Sequence, residues 1–215
     1  MDINHIKHTL ENRNPNLMEI KKENAVFLPL VNWEGELSLL FEVRSDNLKH
    51  QPGEVCFPGG RRELDETLKE CVCRETAEEL GIEEAEIEIY GQFDTLHNYT
   101  NVTIHTFIGT ISKKAMNLLQ FKNNGKAEYI ANSNEVKELF LVPVSFFLNM
   151  KPYIYSFSVK PQIGDDFPYH MIDSVEKYQW LEGQYTVPIF HYKDNAIWGI
   201  TARILCRFLE EFKTG

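Results

Sequence analysis

Residues 67–81, TLKECVCRETAEELG, spell out both ends of one helix, and whatever surrounds them has to accommodate it. Thr67 and Glu70 stand at capping-box spacing, in which each side chain takes a backbone N–H at the other's position. Gly81 follows Leu80 at the point where a left-handed residue closes a helix without steric penalty. Between these ends, Glu75, Glu78 and Glu79 fall within about 100° of one another around the helix axis and share a face. Like charges so placed repel by about 0.2–0.5 kcal/mol per pair, so something should compensate them. Arg74 lies four residues from both Glu70 and Glu78 and is expected to pair with each. One base against four acids still leaves a surplus of carboxylate oxygen, which suits a hard divalent cation. No His or Cys shares the face at tetrahedral spacing, so Mg2+ or Mn2+ is expected rather than zinc. A bare acidic face of this kind is ordinarily just a solvated one. The nearby Phe57-Pro58-Gly59-Gly60 changes that expectation, because two adjacent glycines let backbone amides and carbonyls approach a metal ion or a phosphate closely.

Around this helix the apolar runs 25–31 and 36–44 read as a hairpin turned at Asn32-Trp33-Glu34-Gly35, and Val55–Phe57 as a short strand. Further strand patterns occur in AEIEIYGQFDTLH, TNVTIHTFIGTI, VKELFLVPVSFFL, IYSFSV and TVPIFHY. Ile3, Ile6 and Leu10 mark an N-terminal helix over 2–12, and NAIWGITARILCRFLEEF, with Ile197, Ile200, Ile204 and Leu205 at helical spacing, a C-terminal one. Residues 113–134 read as a short helix and a loop. Strands mixed with few helices favour a sheet sandwiched by helices. The expected organisation is a single domain over 1–215, with a core at about 24–150, the N-terminal helix, and a C-terminal extension and helix over 151–213.

A formal net charge of −10 excludes the basic footprint of a general nucleic-acid binder. No apolar run is long enough for a membrane span and no signal pattern opens the chain, so a soluble, cytoplasmic protein with no membrane partner is expected. The four cysteines, Cys56, Cys71, Cys73 and Cys206, form no CxxC motif and read as reduced core thiols. There is no DxDxDG loop for calcium.

Gly60, five residues, Glu66, seven residues and then Arg74-Glu75-Thr76-Ala77-Glu78-Glu79-Leu80-Gly81-Ile82 resemble the Nudix box, with Thr76 at a usually aliphatic position. The resemblance implies an α/β fold, a Nudix-type α/β/α sandwich with a mixed sheet and a loop-helix-loop catalytic motif. It also implies a hydrolase that cleaves a diphosphate with Mg2+ or Mn2+. By position, Glu75, Glu78 and Glu79 resemble the family's metal-binding and base-supplying acids, Gly60 would offer its carbonyl, and Arg74 would orient the glutamates. Glu135, opening the VKELFLVPV run, is the candidate acid outside the box, with Glu128 behind it. The upstream segment, carrying Leu39, Leu40, Arg44, Ser45, Leu48, Lys49, Gly53, Val55, Phe57, Pro58, Gly59 and Gly60, resembles the coenzyme A diphosphatase subfamily. Gln51 and Glu54 depart from that subfamily's His and Gln.

The reaction this implies is cleavage of coenzyme A or its derivatives to 3′,5′-ADP and 4′-phosphopantetheine. The alternatives are a Nudix hydrolase of ADP-ribose, NADH or another nucleoside diphosphate derivative, and a non-catalytic nucleotide-sensing module. The partner is a small-molecule diphosphate and no nucleic acid; homodimer formation stays open. Arg44, Lys49, Arg61 and Arg62, with Gly59 and Gly60, are the candidate substrate-binding residues, since they gather cationic groups and bare backbone near one loop of an acidic chain. The aromatics of 153–192 read either as core or as a cover over a base or a pantetheine arm. His97 and His105 read as structural.

Overall fold

The computed structural model describes residues 2–11, 13, 17–20, 22–172 and 178–213. The two apolar runs form the hairpin their connection requires: β1 (Lys22–Trp33) and β2 (Glu36–Arg44) pair antiparallel with Trp33 opposite Glu36. Glu34 and Gly35 both take positive φ, at 50° and 85°, the left-handed pair whose twist matches a tight hairpin. Beyond β2 the chain doubles back through β3 (Val55–Cys56), which pairs with the end of β2. It then lays β4 (Gly59–Arg61) antiparallel along the start of β1, with Gly60 opposite Ala25.

The expected N-terminal helix is present as α1 (Ile3–Glu11), Asn12 lying outside the described residues, but none of its residues is buried. Ile3, Ile6 and Leu10 all face outward, so the helical spacing there does not mark a core-facing stripe. The carboxylate helix is α2 (Leu68–Leu80), and both of its written ends are realised. Thr67 and Glu70 exchange the two capping-box hydrogen bonds, and Gly81 closes the helix at φ 67° with its N–H on the Ala77 carbonyl. A cap of this kind contributes about 1 kcal/mol.

The sheet is completed by β5 (Ile87–His97), β6 (Val102–Ile111) and β7 (Val136–Pro143). Strand β6 runs parallel to β1, while β5 pairs antiparallel with β6 and β7 antiparallel with β2, so the sheet is mixed, as expected. The 113–134 stretch resolves into α3 (Lys113–Leu119) and a turn closed by an antiparallel bridge between Phe121 and Ala127. The VKELFLVPVSFFL run is strand to Pro143 and then α4 (Val144–Asn149).

Alternation along the strands divides the core into two layers. Leu28, Leu39, Phe41 and Val43 face Phe147 of α4 and the apolar stripe of α5 (Gly199–Phe212). Ala25, Phe27 and Leu40 face Cys71, Val72 and Leu80 of α2 and Leu119 of α3. Phe41 anchors the first layer, its ring 4.8 Å from that of Phe57 and 5.6 Å from that of Phe140. Each such fully buried ring contributes about 1.5–3 kcal/mol. Helices therefore cover both faces of the sheet, the α/β/α arrangement expected.

One boundary moves. The C-terminal helix starts at Gly199, and Ile197 belongs to β10 (Asn195–Trp198), where it lies opposite Phe190 and is fully buried. A buried strand position and a buried helix position look alike in a short apolar run, so spacing alone assigned Ile197 to the helix. Strand β10 joins β9 (Gly183–Tyr192) and β8 (Tyr153–Val159) in a separate three-stranded sheet. Of the aromatics there, Phe190 enters the core, whereas Tyr153 and Tyr155 stand exposed. All four cysteines are unpaired, and among the described residues no helix is long and apolar enough to cross a membrane.

Candidate functional site

The acidic face of α2 is turned toward β4. Gly59 holds φ 134°, and a Cβ there would collide with the Ala25 carbonyl of β1, so only glycine allows β4 to lie this close. That approach aims the Gly59 N–H at Glu79, to which it donates at 2.8 Å. A Cβ on Gly60 would run into the Glu75 carboxylate; the bare backbone is what lets that carboxylate rest against the loop. Behind it, the Cys71 thiol points at the Gly60 carbonyl from 3.8 Å. The two glycines thus seat two of the three glutamates.

Arg74 organises the rest. It forks onto Glu66 through Nη2 at 2.8 Å and Nε at 3.0 Å, reaches Glu75 at 2.9 Å, and reaches Glu78 at 3.5 Å. The expected pairing with Glu70 does not form. The Glu70 carboxylate accepts the Thr67 N–H at 2.7 Å instead, so the cap takes the acid that helical spacing offered to Arg74. Glu66 is the residue that spacing left without a role. It sits in the loop, accepts the Glu63 N–H as well as Arg74, and offers its backbone carbonyl to Arg62. The Arg74 fork holds its carboxyl down to about 2.

The three glutamates stand in different surroundings. Glu78 is exposed and Glu75 half-buried, while Glu79 is 4% exposed. Burial raises the proton affinity of Glu75, which Arg74 opposes and Glu78 and Glu135 reinforce. Burial pushes Glu79 up much further, and the next cause is a carboxylate absent from the sequence expectations, Glu42 of β2. Glu42 is 1% exposed and accepts the Cys56 thiol at 3.0 Å, and burial pushes its carboxyl up from the usual carboxylate range. The signal that would have found it is an acid inside an otherwise apolar central strand, on the same face as Leu40.

The remaining candidates spread out. Arg44 ends β2 half-buried, its charge acting on both Glu42 and Glu79. Glu135 is exposed at the mouth of β7, its carbonyl accepting the Ser45 N–H at 2.7 Å and its charge acting on Glu42 and Glu75. Glu128 is engaged elsewhere, 2.9 Å from Lys122. Lys49 and Arg61 are exposed. Arg62 is not drawn toward the carboxylates of α2: it pairs with Glu23 at 2.6 Å and braces the loop through the Glu66 carbonyl at 3.2 Å. His97 bonds Thr103 at 2.9 Å, and His105 sits 3.4 Å from Glu23, both at the β5–β6 edge of the sheet.

The donor set suits a hard divalent cation. It is carboxylate and carbonyl oxygen, with one Glu42 oxygen, Oε2, buried and unpartnered. Among the described residues, no three His, Cys, Asp or Glu side chains converge as a ready-made cation cage. Arg74 and the Gly59 N–H instead hold Glu75 and Glu79. The larger clefts, of about 580 Å3 between Met150, Ile154 and Cys206 and about 460 Å3 between Leu37, Tyr90 and Phe212, lie on the α5 side of the sheet. Size alone would point there, but the shifted acids lie on the α2 side, and the chemistry follows them.

A family model described as the NUDIX domain matches residues 21–157, a stretch that contains β1 through β7 and all of α2. Peroxisomal coenzyme A diphosphatase NUDT7 of Mus musculus is 33% identical over 150 residues, 69% of this chain and 58% of its own length. Nudix hydrolase 3 of Caenorhabditis elegans is 32% identical over 136 residues, 61% of this chain and 53% of its own length. Mitochondrial coenzyme A diphosphatase NUDT8 of Homo sapiens is 27% identical over 183 residues, 84% of this chain and 65% of its own length. The chain therefore spans between half and two thirds of the length of each of these curated relatives.

Two outcomes follow from the geometry. Gly60→Ala meets a movable side chain and should cost about 1–3 kcal/mol in urea denaturation. Gly59→Ala meets backbone at a positive φ and should cost more; the reverse order would contradict the seating described. Glu66→Gln tests the Arg74 anchor. Because the folded-state pKa of Glu66 is depressed from 4.5 to about 2, its stabilisation is complete above pH 4.5 and fades as the pH falls toward 2. The stability gap between wild type and this variant should shrink over that window, and a gap constant from pH 6 to pH 3 would refute the charge pairing.

Proposed function

Since the chain belongs to the NUDIX domain family, we propose that it is a divalent-cation-dependent diphosphatase that splits coenzyme A or its derivatives into 3′,5′-ADP and 4′-phosphopantetheine. The observation that carries the reading is the seating of Glu75 and Glu79 against Gly59 and Gly60, beside Glu78 on the same helix. The choice of coenzyme A is supported by the relatives named as coenzyme A diphosphatases and by the upstream segment from Leu39 to Gly60.

A diphosphate at neutral pH carries several negative charges and repels both a carboxylate helix and an incoming hydroxide, in a chain already at −10. Mg2+ or Mn2+, when bound, supplies the positive charge that neutralises the phosphoryl oxygens. Glu75, Glu78, Glu79 and the Gly60 carbonyl would hold it. Arg74, fixed by its fork to Glu66, reaches both Glu75 and Glu78 and restrains the half-buried Glu75 more closely than the exposed Glu78. A water attacking phosphorus must lose its proton to a nearby base. Glu75, Glu78 and Glu135 are the acids for this role, and Glu135 offers an exposed carboxylate whose charge already reaches Glu75. Arg44, Lys49 and Arg61 are the cations for the substrate's phosphates, with Arg62 acting as a brace of the loop.

Incubation with coenzyme A, ADP-ribose and NADH in the presence of Mn2+, with products identified by mass spectrometry, tests the reading. Coenzyme A should yield 3′,5′-ADP and 4′-phosphopantetheine, and Glu79→Gln, which keeps shape and the Gly59 hydrogen bond, should lower turnover by about 100-fold or more. Fast turnover of ADP-ribose with coenzyme A untouched would overturn the substrate, and unchanged turnover in Glu79→Gln would overturn the site.

A further inference from the structure

Glu42 is a buried acid that neither the helix nor its loop accounts for. It lies toward the end of β2, between Cys56 of β3 on one side and Leu139 of β7 on the other, and is 1% exposed. Its Oε1 accepts the Cys56 thiol at 3.0 Å, a weak donor, and its Oε2 is buried with no partner. Strand alternation turns it to the α2 face of the sheet with Leu40 and Arg44. There its charge is felt by Glu79, and the charges of Glu75 and Glu135 are felt by it.

A structural role would require a partner that satisfies the charge. Arg44 is the cation whose charge acts on both, yet among the described residues no ion pair within 4.0 Å joins it to Glu42 or Glu79, and its Nε is itself buried without a partner. Two carboxylates, 1% and 4% exposed, therefore share the space between sheet and helix with only a thiol and one backbone N–H donating to them. Burying unpaired charge costs several kcal/mol per ion. A divalent cation relieves both carboxylates at once, whereas Arg44 as placed relieves neither fully.

We infer that Glu42 is a further cation-site residue, contributed by the sheet: a divalent cation is held between Glu79 of α2 and Glu42 of β2, with the unpartnered Oε2 as the oxygen Glu42 offers. The inference rests on the reading of the α2 face as a cation site and extends it to the opposite wall. Glu42 then serves two opposed ends: it weakens the metal-free fold by like charge and strengthens the hold on the ion. A merely structural acid does neither.

The test needs no substrate. Mn2+ affinity is measured from the free-ion electron paramagnetic resonance signal, and thermal unfolding is followed with and without Mn2+, for wild type, Glu42→Gln and Glu42→Met. Both variants should bind Mn2+ about 10- to 100-fold more weakly and show a smaller Mn2+-induced rise in Tm. Without metal, Glu42→Met should unfold at a higher temperature than wild type, because an apolar side chain replaces an unpaired buried charge. Unchanged Mn2+ affinity in both variants, with or without a loss of metal-free stability, would overturn the role of Glu42 alone. If wild type itself bound no Mn2+, the hydrolase reading of the α2 face would fall together with this inference.

Discussion

The site depends on one close approach, that of the Gly59-Gly60 backbone to β1 on one side and to α2 on the other. Pairing of Gly60 with Ala25 fixes the loop to the central strand of the sheet; the missing Cβ of Gly59 lets the loop lie against β1, and that of Gly60 lets the Glu75 carboxylate rest on it. Core packing sets where α2 lies, through Cys71, Val72 and Leu80 against Ala25, Phe27 and Leu40. The glycines decide that its charged edge meets backbone rather than side chains. Packing and chemistry thus use the two faces of one helix.

Charge is arranged around that approach in an unequal way. Glu66 and Glu70, at the start of the helix, are satisfied by Arg74 and by the cap, and their carboxyls are held low. Glu75 and Glu79, farther along, are held high chiefly by burial. The same fifteen-residue stretch, 66–80, therefore separates acids that build the helix from acids that bear an unrelieved charge. Acids of the second kind, facing a further acid on β2, are what an oxygen-ligated divalent cation requires. Clefts on the α5 side are larger but lack this tension.

Much of this was legible in the sequence where the cause is local. Thr67, Glu70 and Gly81 announce α2 because capping is written in residues three or four apart, and Glu34-Gly35 announces the hairpin for a similar reason. The acidic face and the glycines of its loop were readable as a candidate site together, since each explains the other. What escaped depends on contacts between distant segments. The parallel pairing of β1 with β6 joins residues about eighty positions apart, and nothing in either strand specifies it. Glu42 was hidden inside an apolar run whose register with Cys56 only the folded sheet reveals. Of the two partners expected for Arg74, Glu78 is realised and Glu70 is not, because two local rules competed for Glu70 and the cap prevailed. Arg62 looked like a phosphate ligand by its neighbours in sequence, but folding brings Glu23 to it from β1.

A crystal structure of the protein soaked in Mn2+, with the ion located by its anomalous scattering, tests most directly whether the α2 face is a cation site. An anomalous peak is expected beside Glu79, on the side of Glu75, Glu78 and the Gly60 carbonyl and facing Glu42 of β2. A fully soaked crystal with no anomalous peak on that face, or with Mn2+ bound only elsewhere on the molecule, would contradict it.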